Sequence, residues 1–189
     1  MIFASQPELD WSELFGNEHA VEIEIGCGKG AFLVEYARRN PRHNLLGLEN
    51  QPRWVRWIEA RLARAPLPNV RVLCADAALV TSRFVRDASV DAYHVYFPDP
   101  WWKRRHHKRR LVSSDFGAQL FRTLRRGGVL HLATDVADRF EEMREALCAA
   151  PFVVAREPEP TPAGRPLTNF ERKYHREGRA LYYATFTKP

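Results

Sequence analysis

Ala20-Val21-Glu22-Ile23-Glu24-Ile25-Gly26-Cys27-Gly28-Lys29-Gly30 is the stretch on which the architecture of this 189-residue chain turns. Its first six residues are apolar and β-branched with acids interleaved, the pattern of a strand, and the glycines that follow need a tight loop. Phe32, Leu33, Tyr36 and Ala37 then fall on one face of a helix. A glycine-rich turn between strand and helix lets backbone approach a ligand closely and aims helix N-terminal amides at it.

Outward from this unit the alternation repeats. Asn44–Glu49 reads as a second strand, and Pro52 suits the first turn of a helix whose Val55, Ile58 and Leu62 share a face, closed by Pro66 and Pro68. Val70–Cys74 and Val90–Phe97 are a third and a fourth strand. Ser113 or Ser114 caps a helix carrying Phe116, Leu120 and Leu124, which Gly127 and Gly128 stop. Val129–Ala133 is a fifth strand, followed by a helix with Val136, Phe140, Met143 and Leu147. The prolines between residues 156 and 168 predict a loop, and Leu181–Phe186 a last strand pairing at the sheet edge. The expectation is an α/β fold, a mostly parallel sheet with helices on both faces, binding ligands where loops leave the carboxyl ends of the strands.

The length suits one core, so residues 1–189 are expected to form a single domain, with 1–19 as a lead-in. Apolar runs are short and the N-terminus lacks a basic, long-apolar secretory pattern, which predicts a cytoplasmic protein with no membrane association. Cys27, Cys74 and Cys148 are odd in number and far apart, and are expected to be core thiols rather than a disulfide framework or metal site. A net charge of +6 favours a polyanionic partner. Its distribution is more telling: Lys103-Arg104-Arg105-His106-His107-Lys108-Arg109-Arg110 contains no acid.

The glycine loop alone is ambiguous, because Gly26, Gly28 and Ala31 also satisfy the dinucleotide pattern GxGxxA and Glu49 ends the second strand, where an acid grips a ribose in both cofactor classes. A nicotinamide-dependent oxidoreductase is therefore one alternative. Glu24 before the glycines and Asp76 after the third strand favour S-adenosylmethionine, whose ammonium and adenine amine are donors that acids receive. The fourth strand ends in Tyr96-Phe97-Pro98-Asp99-Pro100-Trp101-Trp102-Lys103, where prolines stiffen the backbone around Asp99. An acid flanked by aromatics is suited to reading the edge of an exposed base, and the cations next to it to holding phosphates. His106 and His107 have no third ligand at useful spacing, and no metal is assigned.

EIGCGKG, GLEN, YFPDPWWKRRHHKRRL, ATD and TNFERKYHREG together resemble the bacterial tRNA (guanine-N7)-methyltransferase family over about Val21–Phe186. The resemblance implies a Rossmann-like methyltransferase fold with a seven-stranded sheet. It implies S-adenosylmethionine held at Glu24, Gly26, Gly28, Gly30, Glu49, Asp76 and Asp99, with Asp99 also catalytic. By the same resemblance Lys103, Asp135, Thr168, Asn169, Phe170 and Glu171 bind substrate, and Arg105, His106, His107, Lys108, Arg109 and Arg110 contact RNA. The implied reaction is methylation of N7 of a guanosine in the tRNA variable loop by a monomer or homodimer. Trp102 and Arg104 depart from the family pattern. A non-catalytic RNA-binding module is the second alternative, and it leaves the glycine loop with Glu24 and Glu49 unexplained.

Overall fold

A computed structural model describes residues 8–99, 111–156 and 164–189. Lys103 and Arg105 through Arg110 therefore lie outside the described residues.

The strands are β1 (Ala20–Ile25), β2 (His43–Glu49), β3 (Val70–Cys74), β4 (Val90–Tyr96), β5 (Leu124–Thr134), β6 (Val153–Arg156) and β7 (Tyr182–Thr187). They form one sheet in the order β3-β2-β1-β4-β5-β7-β6, parallel from β3 to β5, with β7 antiparallel to both β5 and β6. The order reverses between β1 and β4, so the carboxyl ends of these two neighbours open a crevice. The helices are α1 (Trp11–Phe15), α2 (Ala31–Arg39), α3 (Pro52–Arg64), α4 (Ala77–Arg83), α5 (Ser114–Thr123), α6 (Ala137–Cys148) and α7 (Asn169–Arg176).

Alternation along β1 sorts its side chains to two faces. Val21, Ile23 and Ile25 enter the main core with Val80, Phe116, Leu120 and Met143 from α4, α5 and α6. On the other face Leu33, Val34 and Ala37 of α2 pack with Leu45 and with Ile58 of α3. Gly47 of β2 is required by this second layer: a Cβ there would stand 2.7 Å from Leu33 Cδ2 and 2.9 Å from Cys27 Sγ.

Several boundaries differ from the expectations. Leu124 opens β5 instead of extending the preceding helix, because it is fully buried and its register pairs it with Val90, while Gly127 and Gly128 sit inside the irregular start of that strand. Val136 is the N-cap of α6. Arg156, expected in the proline-rich loop of 156–168, ends β6. The last strand is not at the edge: β7 is inserted between β5 and β6, and its fully buried Phe186 packs against Phe152 beside β6. Cys27 is buried, but Cys74 and Cys148 are exposed, so only one of the three thiols belongs to the core. Among the described residues no helix is long and apolar enough to cross a membrane.

Candidate functional site

Glu22 and Glu24 lie two residues apart on β1, so both point to the side covered by α2, and both are buried. Their surroundings give them opposite fates. Burial alone would raise Glu22, yet the imidazoles of His94 and His43 hold it down at about 2; the His94 Nε2 contact is 2.6 Å. His94 also meets the Tyr96 hydroxyl through Nδ1 at 3.0 Å. Glu22 is thus consumed by an internal polar network.

Glu24 is not. Desolvation holds its carboxyl well above the usual carboxylate range; it accepts from the Leu33 backbone N–H, while Oε2 has no hydrogen-bond partner. A buried unsatisfied acceptor costs about 1–3 kcal/mol unless something donates to it. This carboxylate forms part of the wall of a cleft of about 230 Å³ at the carboxyl end of β1.

Three glycines form the loop beneath that cleft, each at positive φ: Gly26 at 72°, Gly28 at 52° and Gly30 at 66°. Gly26 and Gly28 line the cleft. Gly30, the N-cap of α2, has a different reason to be glycine: a Cβ would lie 2.8 Å from Ile58 Cγ1. Glu49, at the end of β2, braces the loop from below. Its Oε2 accepts from the Gly28 N–H and its Oε1 from the Gln51 N–H, each at 2.8 Å. Each carboxylate oxygen retains a further lone pair. Asp76 is exposed at the end of β3, where its side chain caps α4 by accepting from the Leu79 N–H at 3.1 Å. Neither Glu49 nor Asp76 is part of the cleft wall itself.

Aromatic side chains complete the cleft: Phe32 of α2, Trp54 of α3 and Tyr96 of β4, with Phe170 contributed by α7. Phe32, Trp54 and Tyr96, and Lys29 and Lys173 at the cleft, are not among the site residues expected from sequence, whereas Phe170 is expected there as a substrate residue. The one available signal was the position of Lys29 inside the glycine run. Phe97, immediately after β4, has φ of 52°, which is strained for a non-glycine residue. The conformation is held by its N–H donating to Ala133 O at 2.8 Å and by ring contact with Tyr174 at 5.5 Å. This bend carries the chain to Asp99, which is exposed.

The TNFE segment begins α7 and brings its N-terminus over the glycine loop, so that Thr168, Asn169 and Phe170 line the cleft. Thr168 and Glu171 form a capping box: Glu171 N–H donates to Thr168 Oγ1 at 3.0 Å, and Thr168 N–H to Glu171 Oε2 at 2.7 Å. Glu171 itself is fully buried, paired with Arg165 and accepting from the Tyr183 hydroxyl at 3.1 Å. Arg165 lies 4.5 Å over the Tyr96 ring. Sequence reasoning missed Arg165 because nothing local distinguishes one arginine in a proline-rich stretch. Asp135 lies at the end of β5, outside the cleft wall, and is bonded by Arg179 Nη1 at 3.0 Å.

The donor set fits S-adenosylmethionine. A partnerless buried carboxylate oxygen suits its ammonium, side-chain-free backbone suits close approach of the methionyl chain, and the aromatic walls suit a purine and a base to be methylated.

Comparison with known proteins agrees. A family model described as "Putative methyltransferase" matches residues 18–184. A tRNA (guanine-N(7)-)-methyltransferase of Aliivibrio fischeri (strain MJ11) is 41% identical over 184 residues, covering 95% of this chain and 77% of the relative. The enzyme of the same name from Vibrio cholerae serotype O1 (strain M66-2) is 41% identical over 183 residues, covering 94% and 77%. Among solved structures, the 16S rRNA methyltransferase KamB superposes with a TM-score of 0.69 at 22% identity, covering 97% of this chain and 96% of that one. The aminoglycoside resistance methyltransferase NpmB1 gives 0.68 at 17% identity, covering 94% and 91%. At these identities the two structures speak for the fold alone.

Proposed function

The chain belongs to the tRNA (guanine-N(7)-)-methyltransferase family, and on that premise we propose that it transfers a methyl group from S-adenosylmethionine to N7 of a guanosine in tRNA, in the variable loop. The cofactor, when bound, supplies an electrophilic methyl on a sulfonium. The observation that carries the reading is Glu24, a residue of the wall of a cleft also lined by Gly26 and Gly28, whose Oε2 is a buried acceptor without a hydrogen-bond partner.

In this reading Glu24 accepts from the cofactor's ammonium and the backbone of Gly26 and Gly28 lies against its chain. Gly30 fixes the entry into α2. Glu49 uses its spare lone pairs for ribose hydroxyls while its bond to Gly28 keeps the loop in shape. Asp76 receives the adenine amine at the rim. Guanine N7 has a lone pair and no proton, so no general base is needed and positioning does most of the work. The base becomes cationic as the methyl arrives. Asp99, exposed two residues beyond the strained Phe97 and not part of the described cleft wall, favours that charge and accepts from the guanine edge. Thr168, Asn169 and Phe170 hold the substrate side of the cleft. Glu171, buried under them, acts on substrate only by fixing the start of α7 through Thr168 and Arg165. Asp135 and Lys103 contribute to substrate binding, and Arg105 through Arg110 grip tRNA phosphates. The protein works in the cytoplasm as one domain, as a monomer or a homodimer.

The test is transfer of tritiated methyl from S-adenosylmethionine to bulk tRNA, followed by nucleoside identification. Label in 7-methylguanosine is expected; label absent from tRNA, or found in another nucleoside, refutes the reading. Asp99→Ala is expected to lose most turnover while cofactor affinity falls less. The oxidoreductase alternative requires NAD to bind in preference to S-adenosylmethionine, which a competitive titration decides.

A further inference from the structure

Beside the cofactor cleft lies a second concavity of about 260 Å³, walled by Trp57 and Arg61 of α3, Arg172 of α7 and Glu35 of α2. The two are continuous, because Lys29, Ala31 and Asn169 belong to both. Three features separate this groove from an ordinary solvated surface. Trp57 is 59% exposed, one of only four large hydrophobics so exposed among the described residues; a second, Phe170, adjoins the groove next to Asn169. Helix α3 carries four arginines against one glutamate. Among the described residues, Lys29, Arg53, Arg61 and Arg172 have no ion-pair partner, whereas the single acid in the groove wall, Glu35, is paired with Arg39 at 2.9 Å.

Local geometry sets these groups up as a unit. Trp54 and Trp57 are three residues apart on α3, as are Arg53 and Arg56, and Trp57 is four from both Arg53 and Arg61, so they form one ridge. Lys29 Nζ stands 4.9 Å from the Trp54 ring and the Arg53 guanidinium 4.7 Å from it. Cations that rest on an aromatic face keep their outer side free for phosphate, and an uncovered indole offers a platform on which an unpaired base stacks irrespective of its identity.

We infer that the α3–α7 groove is a second RNA-binding surface, holding an unpaired segment of tRNA next to the nucleotide being methylated, with a base stacked on Trp57 and phosphates on Arg61 and Arg172. The inference rests on the tRNA methyl-transfer reading above and extends it to residues of α3 that the family resemblance does not assign. Charge complementarity selects the partner: a groove with unpaired cations and an exposed indole fits a flexible polyanion with flat bases.

The test measures tRNA binding by the full-length protein across a salt series, together with S-adenosylhomocysteine binding and methyl transfer. Trp57→Ala is expected to weaken tRNA binding about fivefold or more, the lower end of what loss of one stacked base does, and Trp57→Phe to retain most of it. Arg61→Gln with Arg172→Gln is expected to flatten the log–log salt slope by about 1.4, the value for two single-strand phosphate contacts. S-adenosylhomocysteine affinity should be unchanged in all of them. Wild-type tRNA affinity and slope in Trp57→Ala and the double arginine variant would overturn the inference while leaving the methyltransferase reading intact. A wild-type protein that binds tRNA through Trp57 yet forms no 7-methylguanosine would sink that reading and keep the surface. If Trp57→Ala instead converts a dimer to a monomer in sedimentation, the face is an interface between copies and the RNA role is wrong.

Discussion

Gly16 and Gly30 form a matched pair of probes for how tightly the cofactor loop is built. Both cap a helix end in the left-handed region, Gly16 at φ 74° after α1 and Gly30 at φ 66° before α2. A Cβ at Gly16 would meet nothing within 4 Å, whereas at Gly30 it would meet Ile58 Cγ1 at 2.8 Å and Cδ1 at 3.0 Å. Ile58 is fully buried between α3 and the sheet, so its side chain has no room to retreat. Gly16→Ala therefore costs the left-handed penalty of about 1–2 kcal/mol, partly offset by about 0.4–1 kcal/mol from the stiffer unfolded chain. Gly30→Ala adds overpacking of about 1–3 kcal/mol, for a total of roughly 1–5 kcal/mol. In a chain of this size each kcal/mol moves the melting midpoint by about 2–4 °C, so Gly30→Ala should melt several degrees below Gly16→Ala. Urea denaturation of both variants and the wild type gives the difference directly. S-adenosylhomocysteine titration should show loss of affinity for Gly30→Ala only, since the loop feeding the cleft moves. Equal stability losses in the two variants would refute the claim that Ile58 closes this position.

Other outcomes follow from the buried charges. Glu171→Gln removes the anion paired with Arg165, and leaving that guanidinium, whose side chain is only 9% exposed, uncompensated should cost about 3 kcal/mol in urea denaturation; a loss below about 1 kcal/mol would show that the pair contributes little. Because burial holds Glu24 above its unfolded value near 4.5, its favourable contribution is complete below that pH and lost as pH rises through the folded value. Ligand-free Glu24→Gln should thus be more stable than wild type at pH 7–8, with the gap closing toward pH 4.5, while its affinity for S-adenosylhomocysteine drops at least about tenfold; an unchanged affinity would remove Glu24 from the site. Burial, reinforced by His94, holds His131 down at about 3, so its contribution is present above its unfolded value near 6.5 and is lost as pH falls from there toward 3. His131→Gln should flatten the loss of stability between pH 6.5 and 4.5, before Glu22 titrates, by at most about 1.4 kcal/mol per pH unit.

Much of this site was legible along the chain. Hydrophobic period and glycine placement are local properties, so β1, the loop at Gly26–Gly30, α2 and the acids ending β1 and β2 could be read before any contact was known. The spacing of Phe116 and Leu120, or of Phe140, Met143 and Leu147, marked the helices for the same reason. What failed were assignments that depend on distant partners. Leu124 continues the apolar spacing of α5 but is claimed by β4, and β7 reads as an edge strand yet lies between β5 and β6, its Thr185, Phe186 and Thr187 pairing with both.

The division within the acids is the clearest case. Glu22 and Glu24 are the same residue type, on the same face of the same strand, and the sequence by itself determines no more than that. Only the tertiary structure brings His94, 72 residues away, against Glu22 and leaves one oxygen of Glu24, in the wall of a cleft, without a hydrogen-bond partner. It likewise folds α7 over the glycine loop and buries Glu171 against Arg165 and Tyr183 while leaving Asn169 and Phe170 open. Secondary structure follows from periodicities a few residues long. Whether a carboxylate is satisfied, or left for a ligand, depends on which strand lies beside it, and that is settled by burial and register across the whole sheet.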